Sequence, residues 1–218
     1  MISVEHIAKT YKNTEPETEV FRDFSMQVEK GEFVVLTGES GSGKSTLIKM
    51  LLLEEKPDAG KIYVSERPID RVRKADIPNY RQSVGVIFQD FLLIRDRTVY
   101  ENINLARIIT GASQKDSSQR VYHVAKLLGI TDLLKRYPHE ISGGEQQKVC
   151  MARAIVNNPK ILLADEPTAN LDPSYSEMIL KLMQVINDQG TTLLVATQDP
   201  IIASYEGARV VSLDDVPH

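Results

Sequence analysis

The stretch Gly38-Glu39-Ser40-Gly41-Ser42-Gly43-Lys44-Ser45 limits what this chain can fold into more than any other. It fits G-x-x-x-x-G-K-[ST], a loop that wraps an anion in backbone N–H groups. The apolar residues 33–36 before it read as a buried strand, and residues 46–52 after it read as a helix. That strand–loop–helix setting gives the glycines a physical purpose. They free the amides to converge, and the helix N-terminus adds a positive dipole end. In this setting Lys44 reaches the β- and γ-phosphates of a nucleotide, and the Ser45 hydroxyl is placed to ligate Mg²⁺. Gly38, Glu39, Ser40, Gly41, Ser42, Gly43, Lys44, Ser45 and Thr46 are therefore the expected phosphate contacts.

The rest of the chain must build a sheet around that loop. At 218 residues it is long enough for one domain with a lobe. Apolar residues at Ile2, Val4, Val20, Phe24, Met26 and Val28, with breaks over residues 13–17 and 29–31, predict an antiparallel β layer at the N-terminal side. Short strands are predicted over 61–64 and 83–88. Between residues 98 and 135 the spacing turns helical, through Val99, Ile103, Leu105 and Ile108, then Val121, Val124, Leu127 and Leu128. Beyond it, helices over 145–157, 174–188 and 201–205 alternate with strands over 161–164, 192–196 and 209–213. That alternation implies a mostly parallel sheet. The expectation is a single α/β domain: residues 1–90 and 158–218 as the core with its β layer, and residues 91–157 as an inserted helical lobe.

Composition excludes several roles. A net charge of −4 argues against a general nucleic-acid binder. No apolar run approaches the ~18 residues that cross a bilayer, and the first residues lack the pattern of a signal peptide. The lone Cys150 has no internal disulfide partner and reads as a small buried residue. His139 reads as a surface residue. These features predict a cytoplasmic protein that needs a spanning partner if it acts at a membrane.

Two further motifs carry chemistry. The strand over 161–164 ends in Asp165 and Glu166. An Asp there is placed to hold Mg²⁺ through water, and the adjacent Glu166 to polarise an attacking water. Ile141-Ser142-Gly143-Gly144-Glu145-Gln146-Gln147 then opens a helix, which makes a second anion-binding N-terminus. With this motif the chain resembles the ABC-transporter ATPase family, whose signature is L-S-G-G-Q. Gln89 falls at the family's Q-loop, Asn170-Leu171-Asp172 at its D-loop, and Tyr11 where an aromatic stacks on adenine. The resemblance covers essentially the whole chain.

It implies a P-loop NTPase core that binds ATP with Mg²⁺, held by Ser45 and Gln89 with Asp165 in support, and hydrolyses it with Glu166 as general base. It also implies a head-to-tail homodimer with ATP, in which Ser142, Gly143, Gly144 and Glu145 close over the nucleotide of the other copy and Asp172 communicates across the interface. Two positions depart from the family. Glu145 stands where the signature has Gln, a variant familiar in the branch of cell-division, lipoprotein-release and macrolide-export ATPases. Gln198 stands where a switch histidine ends the strand over 192–196. Its amide donates a hydrogen bond but carries no imidazolium charge. The resemblance therefore implies catalysis through Glu166 and Gln198, slowed by about one to three orders of magnitude, ~1.4–4 kcal/mol in the barrier.

Asp76-Ile77-Pro78, Arg81, residues 84–91 and 98–102 resemble the cell-division type, with the lipoprotein- and macrolide-export types as alternatives. The implied partner is an integral membrane subunit (FtsX-like or an exporter permease) received by a groove between Phe88 and Tyr100. There Phe91, Leu92, Leu93 and Ile94 suit a helix-in-groove contact. The chain would then sit at the inner face of the membrane through that partner. Two other readings are an ATP-gated clamp that turns over poorly and an ABC ATPase of DNA repair or translation. The second lacks its usual coiled-coil insertion, zinc cysteines or duplicated domain.

Overall fold

The computed structural model describes residues 1–12, 17–169 and 171–214. Residues 13–16, within the expected turn, and Asn170 of the expected D-loop lie outside the described residues. A five-stranded parallel sheet, in the order β6-β7-β8-β3-β9, forms the centre. Its strands are β3 (Phe33–Thr37), β6 (Val84–Ile87), β7 (Ile161–Asp165), β8 (Thr192–Ala196) and β9 (Arg209–Ser212). A four-stranded antiparallel sheet lies beside it, in the order β2-β1-β4-β5. It is made of β1 (Ile2–Tyr11), β2 (Thr18–Val28), β4 (Ala59–Val64) and β5 (Arg67–Pro68).

The parallel strands are apolar on both faces because both faces are covered. Alternate residues divide between two cores, as the period of two requires. Phe33, Val35, Leu162, Ala164, Leu193 and Val195 face one core, shared with the helices α3 (Val99–Ile109), α4 (Gln114–Leu127), α5 (Gly143–Ile155) and α6 (Pro173–Asp188). Val34, Leu36, Ile161, Leu163, Leu194 and Ala196 face the other. There they meet Leu47, Ile48, Met50 and Leu51 of α1 (Lys44–Leu51) and the inward residues of the antiparallel sheet.

Local chemistry starts and stops these helices. Thr98 caps α3 in a reciprocal box with Glu101, Ser113 caps α4, and Gly111 at φ 73° makes the break between them. Residues 69–82, to which periodicity assigned no element, form 3₁₀ turns and a short helix α2 (Ile77–Gln82). Tertiary contacts hold α2: Tyr80 Oη donates to Leu51 O at 2.6 Å and Arg81 Nε to Leu52 O at 2.8 Å. Both carbonyls lie at the negative C-terminal end of α1, which suits a guanidinium. A four-residue helix, α7 (Pro200–Ala203), follows β8.

The chain enters each strand of the parallel sheet from the same side. The residues that follow β3, β6, β7, β8 and β9 therefore collect along one edge. In open α/β sheets, the carboxyl edge is where ligands bind.

Candidate nucleotide site

The phosphate loop leaves β3 at Thr37 and feeds directly into α1, which begins at Lys44, two residues earlier than the sequence pattern indicates. Gly43 is the reason the turn closes so tightly. It holds φ 96°, and a Cβ there would strike Val20 and Phe21 of β2 at 2.6 Å. As the N-cap of α1 it offers no side-chain cap, so no side chain competes with an incoming anion for the first amides of the helix. Lys44 is only 6% exposed, and its ammonium donates to Gly38 O at 2.6 Å and Glu39 O at 2.8 Å. Asp214, just beyond β9, accepts from Glu39 N at 2.8 Å and ties down the start of the loop.

The ends of β6, β7 and β8 bring the remaining groups to the same cleft, of about 620 Å³. Ser40, Gly41, Gly43, Lys44, Ser45, Thr46, Gln89, Glu166 and Gln198 all line it. Glu39 and Ser42 instead line an adjoining recess with Asp214. The Ser45 hydroxyl donates to Asp165 Oδ1 at 2.9 Å. Burial pushes the Asp165 carboxyl above its ordinary range, although Ser45, Lys49 and Lys44 act in the opposite direction. A half-buried carboxylate joined to a hydroxyl beside a phosphate loop gives hard oxygen donors in a setting where a divalent cation relieves the desolvated charge. Ser45, Asp165 and the nearby Gln89 thus fit Mg²⁺.

Glu166 sits at φ 47°, a left-handed conformation uncommon for a side chain of its size. Its N–H donates to Ala196 O at 2.8 Å, which extends the pairing of β7 with β8 and holds the bend. Thr197 Oγ1 donates to Glu166 Oε2 at 3.2 Å, and Gln198 N donates to the same oxygen at 3.1 Å. The Gln198 side chain itself is exposed on the cleft wall. Thr197, Asp214 and the buried Gln147 are the residues that sequence reasoning passed over. Only Thr197 carries a trace of its role, as the neighbour of Gln198 beyond the last residue of β8.

Tyr11 stands beside the phosphate loop without lining the cleft. Its Oη lies 3.5 Å from Thr46 Oγ1, and the Lys9 ammonium sits 5.1 Å from its ring centre. The signature residues lie outside the cleft as well. Ser142 caps α5 in a reciprocal box: Glu145 N donates to Ser142 Oγ at 3.4 Å, and Ser142 N and Oγ both donate to Glu145 Oε2 at 2.8 Å. The hydrogen bonds from the Ser142 backbone and hydroxyl hold the Glu145 carboxyl below its ordinary range.

Gly144 packs under the Tyr175 ring so closely that a Cβ there would overlap the aromatic carbons. Gln147, 1% exposed, donates its amide to Pro167 O. The signature helix is thereby joined to the segment that follows Glu166. Asp172 caps α6 with its backbone alone and leaves its exposed carboxylate uncommitted to the helix.

Of the four apolar residues expected along the groove between Phe88 and Tyr100, only Leu92 and Ile94 are exposed, at 59% and 39%. Phe91 and Leu93 are half-buried, and Leu93 packs on the core. Arg153 explains the turn, since its guanidinium donates to Leu92 O at 2.6 Å and Phe91 O at 2.9 Å. Cys150 Sγ donates to the same Phe91 oxygen at 3.0 Å, and burial pushes its thiol up to about 12. The buried Asn102 holds Ile94 and the backbone at residues 97 and 98. His139 is exposed, as expected, and stacks on Tyr137.

Comparison with known proteins agrees with this geometry. The chain is 43% identical over 215 residues to the "Cell division ATP-binding protein FtsE" of Streptococcus pneumoniae (strain D39), covering 99% of this chain and 92% of that protein. The protein of the same name from Escherichia coli (strain K12) is also 43% identical, with 99% and 96% covered. Among solved structures, a dimeric ATP-binding cassette in a post-hydrolysis state bound to ADP and Pi superimposes with a TM-score of 0.89 at 31% identity, over 100% of this chain and 97% of that one. A family model described as "ABC transporter" matches residues 21–169. With that match across two thirds of its length and these relatives across nearly all of it, the chain belongs to the ABC transporter family, as one of its ATP-binding subunits.

Proposed function

We propose that this chain is the ATP-hydrolysing subunit of a membrane complex of the cell-division type. The observation that carries the chemistry is the meeting of Lys44, Ser45, Asp165 and Glu166 at one edge of the parallel sheet. The relatives named for cell division support the biological assignment, since they match over 99% of the chain. On this reading the amides at the start of α1 and the Lys44 ammonium bind and orient the phosphates. Ser45, Gln89 and Asp165 would hold Mg²⁺, which supplies charge neutralisation on the phosphate oxygens. Glu166 takes a proton from the attacking water as the new O–P bond forms and the P–O bond to ADP breaks. On this reading Tyr11 flanks the base of the nucleotide.

One chain leaves the site open. Ser142, Gly143, Gly144 and Glu145 lie outside the cleft, and the Asp172 carboxylate is exposed. Both facts suit a head-to-tail dimer in which each signature motif completes the site of the other copy. The dimeric cassette, similar over the whole chain, supports the same arrangement. No helix among the described residues is long and apolar enough to cross a membrane. Membrane attachment then falls to a separate integral subunit, and the exposed Leu92 and Ile94 are the anchors we assign to it. The domain organisation we propose is a single unit with residues 91–157 as the lobe that carries this contact.

The test is phosphate release from Mg-ATP by the parent chain, Glu166→Gln and Gln198→His. Turnover that vanishes in Glu166→Gln, with that variant accumulating as an ATP-bound dimer, is expected. Gln198→His is expected to raise turnover by about 10-fold or more. Undiminished hydrolysis by Glu166→Gln would remove the general-base assignment. A silent parent revived by Gln198→His would favour the clamp that closes on ATP and turns over poorly.

A further inference from the structure

We propose that Thr197 is a positioning residue for hydrolysis: its hydroxyl aims the Glu166 carboxylate. The proposal rests on the reading of Glu166 as general base. Thr197 is fully buried, directly beyond β8. A hydroxyl has one proton to give, and here its direction is determined. Asp199 N donates to Thr197 Oγ1 at 3.0 Å, which occupies a lone pair and leaves the proton for Glu166 Oε2 at 3.2 Å. Gln198 N supplies a second donor to the same oxygen at 3.1 Å.

Two donors from one short segment fix Oε2. Among the described residues no donor reaches Oε1, which is left to accept the proton of the attacking water. Both donors are independent of the side chain at 198, since one is Thr197 and the other is main chain. This is how the chain tolerates Gln198 without letting its base turn away. Glu166 is itself held at a left-handed bend by Ala196 O, so its backbone and carboxylate are both referenced to β8 and the residues that follow it. Fixing a reacting group to within a fraction of an ångström is worth large rate factors, because misplacement by about 1 Å costs up to ~100-fold.

Thr197→Val removes the donor at nearly constant volume, and Thr197→Ser restores it. Both are compared with the parent and with Glu166→Gln by single-turnover hydrolysis of radiolabelled ATP and by titration with a fluorescent ATP analogue. Thr197→Val is expected to slow hydrolysis by about 10- to 100-fold while changing nucleotide affinity by less than ~3-fold. Thr197→Ser, which keeps the hydroxyl donor, is expected to recover most of the rate. Parent-like turnover in Thr197→Val, with Glu166→Gln inactive, would overturn the proposal and leave the base assignment standing. Hydrolysis persisting in Glu166→Gln would remove both. A crystal structure of Thr197→Val tests the same role without reference to rate: the carboxylate should leave its seat, and an unmoved carboxylate refutes the role.

Discussion

On the proposed reading the N-termini of α1 and α5 serve the same task, and they are built in opposite ways. At α1 the cap is Gly43, with no side chain to satisfy the first amides, and a buried lysine waits among the loop carbonyls. At α5 the cap is Ser142, and a reciprocal box with Glu145 satisfies the helix end from within. The first end is packed against β2 through Gly43 and keeps side chains clear of its first amides. The second has the amide of Glu145 satisfied by its own cap. At α1 the cap has no side chain, so none stands between the first amides and the cleft. A site that awaits a second molecule is better capped until that molecule arrives, because unpaired donors are costly.

The largest expected effect follows from removing the waiting cation. Lys44→Ala should weaken ATP binding by 100-fold or more, about 2.7 kcal/mol, in a fluorescence titration. Retained tight binding would place the phosphates elsewhere. Gly144→Ala should destabilise the fold by about 1–3 kcal/mol in urea denaturation, since its methyl must displace the Tyr175 ring. Truncating that ring should recover part of the loss, and an unchanged midpoint would break the link between α5 and α6. Ser142→Ala should cost ~1 kcal/mol of stability through the lost cap. If it is silent in the denaturation midpoint, the contrast between the two ends loses its basis.

The smallest effect concerns acid. The folded-state pKa of Glu145 is depressed, so its contribution is complete above the unfolded value of ~4.3 and fades as pH falls through the lower folded value. The melting temperature of the parent should therefore drop more steeply below that pH than that of Glu145→Gln. Parallel curves would show that the box holds without its charge.

The difference between the two ends also explains what could be read without coordinates. The phosphate loop is a contiguous stretch, so residues 38–46 read as a unit in the sequence, although Gly43 also answers to Val20 and Phe21 of β2. The same holds for Asp165 and Glu166, where an apolar run stops at two acids, and for Ser142 and Glu145, whose spacing of three is the capping box itself. Residues that act through space left no such trace. Nothing local announces that Asp214 reaches Glu39 across 175 positions, that Gln147 reaches Pro167, or that Gly144 is a glycine because of Tyr175. The groove shows the same limit from the other side. Four consecutive apolar residues read as one exposed patch, but Arg153 draws the backbone in and leaves only Leu92 and Ile94 outside.

The sequence by itself determined the alternation of strands and helices and the phosphate-loop motif at residues 38–45. Those follow from periodicity and from conformations available within a few residues. The tertiary structure placed helix α2, whose last turn is held by the carbonyls of Leu51 and Leu52 at the C-terminal end of α1. It also decided which oxygen of Glu166 is held and by what. Thr197 and the backbone at 198 come to that carboxylate only because β7 and β8 pair in register, Asp165 opposite Ala196, and a register is a property of two strands together.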